Sequence, residues 1–328
     1  MQRREFMKFI GAAAAPALLW PHAARAQVGR RPKVGIVYPG PEAMSGPRVQ
    51  SFLDGLRAAG YGGPEQIELV LRVTGGDPAR TVPLAAEVVE RNVDVILAIS
   101  SVMVEVFRQT TRTIPIVALD LESDPVGSGL VASVARPGGN ITGLFFDFPD
   151  FTKKWLELLK EALPKLQRIA VLWDPATARP PRIAVEQGAN ALSLQLDIIE
   201  VRNRSDFEDA FEQASKRGTD AVLMLASPLI GANAQPLAAL AIQHRMPAVT
   251  LFPDFARAGG LLTYGVNLLD MYRQTGIIVG KVLNGAKPSE LPIERPTKFE
   301  LVLNLRTARL LGLDVPTGVL LRADEVIE

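Results

Sequence analysis

The sequence predicts an α/β protein of two similar, doubly wound lobes with mainly parallel sheets, joined by a hinge of several chain crossings. Three observations carry that prediction. Short apolar runs rich in Val, Ile and Leu alternate with helical patterns along the chain, which suits strands covered by helices on both faces. The connections between them are too long for hairpins and suit right-handed βαβ crossovers. The series then restarts at nearly constant spacing: "RIAVLWDP" from Arg168 echoes "KVGIVYPG" from Lys33 at an offset of 135. "TDAVLMLASP" from Thr219 follows "VDVILAISS" from Val93 at 126, and "MPAVTLFPDFARAGG" from Met246 follows "IPIVALDLESDPVGSG" from Ile114 at 132.

The elements follow in order. The first 26 residues, "MQRREFMKFIGAAAAPALLWPHAARA", read as a cleaved export signal: a charged start, a weakly apolar middle and a small-residue cleavage site. The apolar run Phe9–Trp20 has 12 residues and holds Gly11 and Pro16, whereas a spanning helix needs about 20, so no stable membrane insertion is expected. Arg3-Arg4 resembles the twin-arginine export motif, with Gln2 where Ser or Thr is usual; ordinary Sec export with a chance arginine pair is the alternative. Either route ends in the periplasm. Removing 26 of 328 residues leaves 302, enough for two domains at about 100–200 residues each. The leader carries Arg3, Arg4, Lys8 and Arg25 against Glu5, so cleavage takes the net charge from +1 to −2. Nothing in the mature chain then calls for nucleic acid. With no cysteine there is no disulfide framework and no lipid-bearing residue at the cleavage site.

Residues 27–145 are expected to form lobe one, with strands at Lys33, Ile67, Asp94 and Ile114, a helix over 47–59 and another in "ARTVPLAAEVVERN". Residues 146–264 form lobe two. Residues 265–328 begin with the amphipathic "LLDMYRQTGIIVGKVLNG", pass through a Pro-rich stretch, and supply further hinge crossings that pack on both lobes.

Most enzyme chemistry is missing. His244 is the one histidine of the mature chain, at a helix end where a cation suits the helix terminus; no GxSxG elbow, phosphate loop or metal-ligand spacing is present, and no cofactor is expected. "GSGLVA" (Gly127–Ala132) matches a dinucleotide fingerprint in pattern only. It follows the fourth strand rather than the first, and Pro137, Gly138 and Gly139 prevent the long helix that fingerprint must open. The glycines read instead as a flexible connection, with "RPGGN" and "ITG" as the first crossing into lobe two.

Four segments carry a resemblance: "SDPVGSGLVASVARPGGNITGL", "GGLLTYGVNLLDMYRQTG", "LPIERPTKFELVLNLRTARLLGL" and "LLRADEVIE". Together they resemble the ABC-transporter substrate-binding family that includes tryptophan- and tyrosine-binding lipoproteins. That resemblance covers nearly the whole mature chain and implies a type I periplasmic-binding fold with the ligand held between the lobes. It does not transmit the ligand. Ser100-Ser101 stand where that family usually has Gly-Thr, and Trp173-Asp174-Pro175 where Asn-Pro is commoner.

Strand ends nominate the site, because ligands of such sheets bind at the carboxyl ends of the strands. Ser100 and Ser101 open a helix whose N-terminus suits a ligand carboxylate, with Ser227 opposite; simple capping is the alternative role. Asp120, Glu122 and Asp124 offer a partner for an ammonium or hydroxyl, or serve the local structure. Tyr38, Phe146, Trp173, Phe252 and Tyr264 offer aromatic faces for a flat ligand, or core packing. Asp147 and Asn267 flank inter-lobe crossings and bind ligand or satisfy hinge backbone. The expected function is a monomeric periplasmic receptor of an ABC importer that closes on a small organic molecule and presents it to the permease and its ATPase. A ligand sensor signalling to a membrane receptor is the alternative.

Overall fold

A computed structural model of the chain describes residues 30–63, 65–146 and 148–328. The expected leader and Asp147 lie outside the described residues. The chain from Arg31 onward is one compact unit built on two sheets.

The first sheet is laid down by β1 (Lys33–Tyr38), α1 (Glu42–Ala58), β2 (Glu68–Val73), α2 (Thr81–Glu90), β3 (Val95–Ile99), α3 (Ser101–Thr110), β4 (Ile116–Asp120) and β5 (Ile141–Phe145). Its five strands run in the order β2-β1-β3-β4-β5, all parallel. Every residue of β3 and β4 is buried, as strands sandwiched between helices must be. The helix expected to start near Pro47 begins at Glu42 and takes Pro47 inside it, giving up one backbone donor.

The second sheet follows with α4 (Phe148–Ala162), β6 (Arg168–Trp173), α5 (Pro180–Ala191), β7 (Gln195–Glu200), α6 (Asp206–Lys216), β8 (Ala221–Met224), α7 (Pro228–Ala232), α8 (Ala234–Gln243), β9 (Ala248–Thr250), α9 (Pro253–Arg257) and β10 (Leu262–Val266). Then α10 (Leu268–Leu283) returns to the first lobe. The chain finishes on the second with β11 (Phe299–Asn304), α11 (Leu305–Leu310), α12 (Thr317–Leu320) and β12 (Glu325–Ile327). The order is β12-β11-β10-β9-β8-β6-β7, parallel except for β10 against β11. Read from its far edge, β7-β6-β8-β9-β10 repeats the order of the first sheet. The restart seen in the sequence is therefore a repeat of topology.

"ITG" is not a crossing: Ile141–Phe145 is β5, paired along its length with β4, and the chain leaves the first sheet only after Phe145. Gly143 makes this pairing possible. Its φ is +136°, and a Cβ there would lie 2.2 Å from the Ala118 carbonyl oxygen.

Helix α10 binds to lobe one by backbone contact with α1. A Cβ on Gly276 would meet the Phe52 carbonyl oxygen at 2.1 Å, and one on Gly55 the Arg273 oxygen at 1.9 Å. Small residues at the crossing let these helices approach this closely. The three connections between the sheets therefore run after β5, after β10 and before β11. Phe146 just past β5, Tyr264 within β10 and Phe299 at the start of β11 gather around Phe151 of α4.

Candidate functional site

The carboxyl ends of the two sheets face each other across a cleft of three adjoining compartments. The central one, about 60 Å³, is lined from lobe one by Tyr38, Arg48, Ser100, Glu122 and Tyr272, and from lobe two by Ser227 and Phe252. Pro39, Ser100 and Pro228 separate it from a second, of about 120 Å³, reaching Thr74, Asp174 and Arg202. Met44, Arg48 and Leu268 separate it from a third, of about 280 Å³, reaching Asp254, Asn267 and Glu300. Each wall residue follows from topology: Tyr38, Ser100, Glu122, Ser227 and Phe252 all sit at or just past strand ends.

Arg48 is the central compartment's cation. Its guanidinium donates to the Tyr38 hydroxyl, stacks 5.8 Å from that ring's centroid, and donates to Asp254 Oδ2 at 2.6 Å. Arg48 belongs to α1 and Asp254 to α9, so this ion pair spans the cleft. Burial works against the charge on Arg48, but Tyr272, Tyr38 and Asp254 outweigh it and hold the guanidinium more firmly protonated. Burial pushes the Tyr38 and Tyr272 hydroxyls up, so both remain neutral.

At the other side of the compartment two carboxyl groups are buried together. Asp120 Oδ1 accepts from the N–H groups of Glu122 (2.8 Å) and Ser123 (2.9 Å). Glu122 Oε2 accepts from the Ser101 N–H at 2.7 Å. Burial raises both carboxyls, and the Asp120 charge adds to the rise at Glu122.

A model of the family described as ABC transporter substrate binding protein matches residues 42–327. The chain belongs to that family. Members of this substrate-binding protein family are ligand-binding proteins, not enzymes. A tyrosine-binding protein from Clostridioides difficile is 24% identical to this substrate-binding protein over 268 residues, covering 80% of this chain and 76% of that one. A conserved domain protein from Vibrio cholerae superposes with a TM-score of 0.84 at 27% identity, over 90% of this chain and all of that one. An ABC domain from Streptococcus pneumoniae, solved in complex with L-Trp, gives 0.83 at 21%, over 91% of this chain and 100% of that chain; that likeness is one of fold.

In this substrate-binding protein, five of the nominated residues come together in the central compartment: Tyr38, Ser100, Glu122, Ser227 and Phe252. The expected anion site is differently used. The α3 N-terminus is filled by the protein's own Glu122 carboxyl; the Ser100 hydroxyl caps Met103 N–H at 3.4 Å, and the Ser101 hydroxyl lies against Glu122 without closing a hydrogen bond. Ser227 caps α7 through Ile230 N–H at 3.1 Å. Asp124 is exposed and turns the chain by accepting from Val126 and Gly127 N–H. Phe146 and Tyr264 face away from these compartments; they line a separate cavity of about 290 Å³ at the hinge, with Phe299 and Lys154. Trp173 is buried beneath Arg182, whose guanidinium lies 5.0 Å from the ring centroid, while its neighbour Asp174 reaches the second compartment. Asn267 caps α10 through Asp270 N–H and lines the third compartment. His244 closes α8 and contacts Glu208 Oε1 at 3.0 Å, away from the cleft.

Sequence reasoning missed Arg48, Asp254 and Tyr272. A signal existed for the first. Met44, Arg48 and Phe52 are spaced by four, so the arginine interrupts the apolar face of α1. A charge in that position needs a buried partner.

Proposed function

We propose that this protein is the periplasmic receptor of an ABC importer and that it captures an aromatic amino acid between its two lobes. The observation that carries this reading is the pairing of wall types in the central compartment. Tyr38 and Phe252 offer aromatic faces from opposite lobes, while Arg48 and Glu122 stand at its polar corners. An aromatic zwitterion needs that set: a flat apolar wall for the ring, a cation for the carboxylate and a carboxyl for the ammonium. The tyrosine-binding relative supports the same class.

Size bears on the pose. The centre of one water takes about 10–15 Å³, so a compartment of about 60 Å³ matches a few waters. An aromatic amino acid would extend into a flanking compartment or part the lobes slightly. Closure then follows from differential affinity, since a ligand touching both walls stabilises the closed form. The closed form is what the permease and ATPase would recognise.

A thermal-shift screen with L-tyrosine, L-tryptophan and L-phenylalanine, set against L-leucine and L-arginine, tests the reading. At 100 times its dissociation constant a ligand adds about 2.7 kcal/mol, which is a rise of about 5 °C in unfolding temperature. A rise with aliphatic or basic amino acids but none with aromatic ones would reject it.

A further inference from the structure

Glu122 is 2% exposed and yet lines the central compartment. Its one hydrogen bond to backbone comes from Ser101, and among the described residues no ion pair reaches it. Beside it lies Asp120, 0% exposed, with Oδ1 held by two backbone donors and Oδ2 without a hydrogen-bond partner. Among the described residues the other elements around this corner bring no compensating charge. Helix α3 contributes Ser100 and Ser101, and the start of α7 contributes Ser227. Strand β1 and helix α10 contribute the neutral phenols Tyr38 and Tyr272. Arg48 of α1 lines the same compartment, but its guanidinium is engaged by Tyr38 and by Asp254 of α9.

Two carboxyls buried together without a cation cannot both ionise. Asp120, with two N–H donors on one oxygen, is the better place for the negative charge. Glu122 is then the member that carries the proton, and it is the one facing the ligand.

We propose that Glu122 receives the ligand's ammonium group and that capture is proton-linked, the neutral Glu122 carboxyl releasing its proton to solvent as the ammonium docks. The inference rests on the amino-acid reading above. Its balance is simple: one positive charge enters as the ammonium and one leaves as the proton. The Glu122 corner therefore gains no net charge, the ligand's carboxylate enters at the Arg48 corner so that the complex carries one negative charge more than the free protein, and the ammonium meets a carboxylate created by its own arrival. Affinity for an amino acid accordingly rises with pH through the value at which free Glu122 loses its proton, and a ligand lacking the amino group shows no such rise.

The test is titration calorimetry with L-tyrosine and L-tryptophan, and with 3-(4-hydroxyphenyl)propanoate and indole-3-propanoate as partners lacking the amino group. Each is run at pH 8 in phosphate and in Tris, whose ionisation enthalpies differ, and at pH 5 in acetate for the affinity. The amino acids should release up to one proton on binding the wild type, and their affinity should fall about tenfold or more from pH 8 to pH 5. In Glu122→Gln, proton release should vanish and the two pH values should agree within about twofold. That variant should lose about 10–100-fold in affinity for the amino acids at pH 8, but less than about threefold for the propanoates. Amino-acid binding with no buffer-dependent heat and no pH dependence would overturn the proton linkage while leaving the amino-acid reading standing. Failure of every amino acid to bind at either pH would overturn both. The wild-type proton count holds even if the variant does not fold.

Discussion

The ion pair across the cleft gives the sharpest test of closure. Arg48 and Asp254 meet at 2.6 Å with side chains 15% and 36% exposed, between the surface and the interior. Exposed pairs contribute about 0–1 kcal/mol, and hydrogen bonds to charged groups about 1.5–3 kcal/mol. About 1–2 kcal/mol is a fair value here. In an opened molecule each partner keeps its neighbours on its own lobe: Arg48 retains Tyr38, and Asp254 retains Arg257, 3.9 Å away on the same helix. The pair therefore acts on the closed form alone. Asp254→Asn should lower the ratio of closed to open molecules by a factor of about 5–30. Small-angle scattering of the ligand-free variant should show a larger radius of gyration than wild type. The dissociation constant of the amino acid selected by the thermal screen should rise by up to the same factor. Glu290→Gln, which breaks the exposed Lys287 pair, is the control and should change neither. An unchanged radius with a dissociation constant within about twofold would show that this pair contributes nothing to closure.

Other outcomes follow from the same structure. Gly143→Ala should destabilise by about 2–4 kcal/mol in urea unfolding, because its Cβ would strike the Ala118 backbone at a positive φ; Gly139→Ala, with open space around it, should cost less than about 1 kcal/mol. Glu122→Gln should raise the unfolding temperature at pH 8 and match wild type below about pH 4. The folded-state value of Glu122 is raised, so its stabilisation is full in acid and is lost as pH rises from about 4.3 through that value. Ser101→Ala should leave affinity within about twofold, since its hydroxyl closes no hydrogen bond. Arg3→Lys with Arg4→Lys should hold the precursor in the cytoplasm if the twin-arginine route carries it, as immunoblots of cell fractions would show.

How much the sequence disclosed depended on the range of the interaction. Continuous apolar runs announce buried parallel strands because burial on both faces is a local demand, so "DVILAIS" and "RIAVLWDP" were readable as β3 and β6. Strand ends were readable for the same reason, and they located Tyr38, Ser100, Glu122, Ser227 and Phe252 at the cleft. "ITG" was misread because its glycine is there for contact with a neighbouring backbone, and pattern alone cannot tell that from a loop glycine. Arg48 and Asp254 are 206 residues apart, and only the apposition of two lobes gives them a common purpose. Ser101 looked like an anion site because helix N-termini attract anions; the anion turned out to be supplied from 21 residues further along the same lobe.

The five nominated aromatics separate by the job each strand end does. Tyr38 ends β1, Phe252 follows β9 of the other sheet, and both line the central compartment. Trp173, also at a strand end, is buried under Arg182. Phe146 follows β5 and Tyr264 lies within β10, the strands from which the chain departs for the other lobe, so they are carried to the hinge. There Tyr264 stacks on Phe151 at 5.1 Å with the rings 6° from parallel, Phe146 meets Phe151 edge-on at 4.5 Å, and Trp155 of α4 donates to the Tyr264 carbonyl at 2.6 Å. Three connections that share one aromatic cluster cannot flex independently, because moving any one of them disturbs packing against the same α4 ring. A closing motion then has few free directions. The residues that bring Arg48 to Asp254 and the residues that limit how they approach are, in this fold, products of the same strand-end geometry.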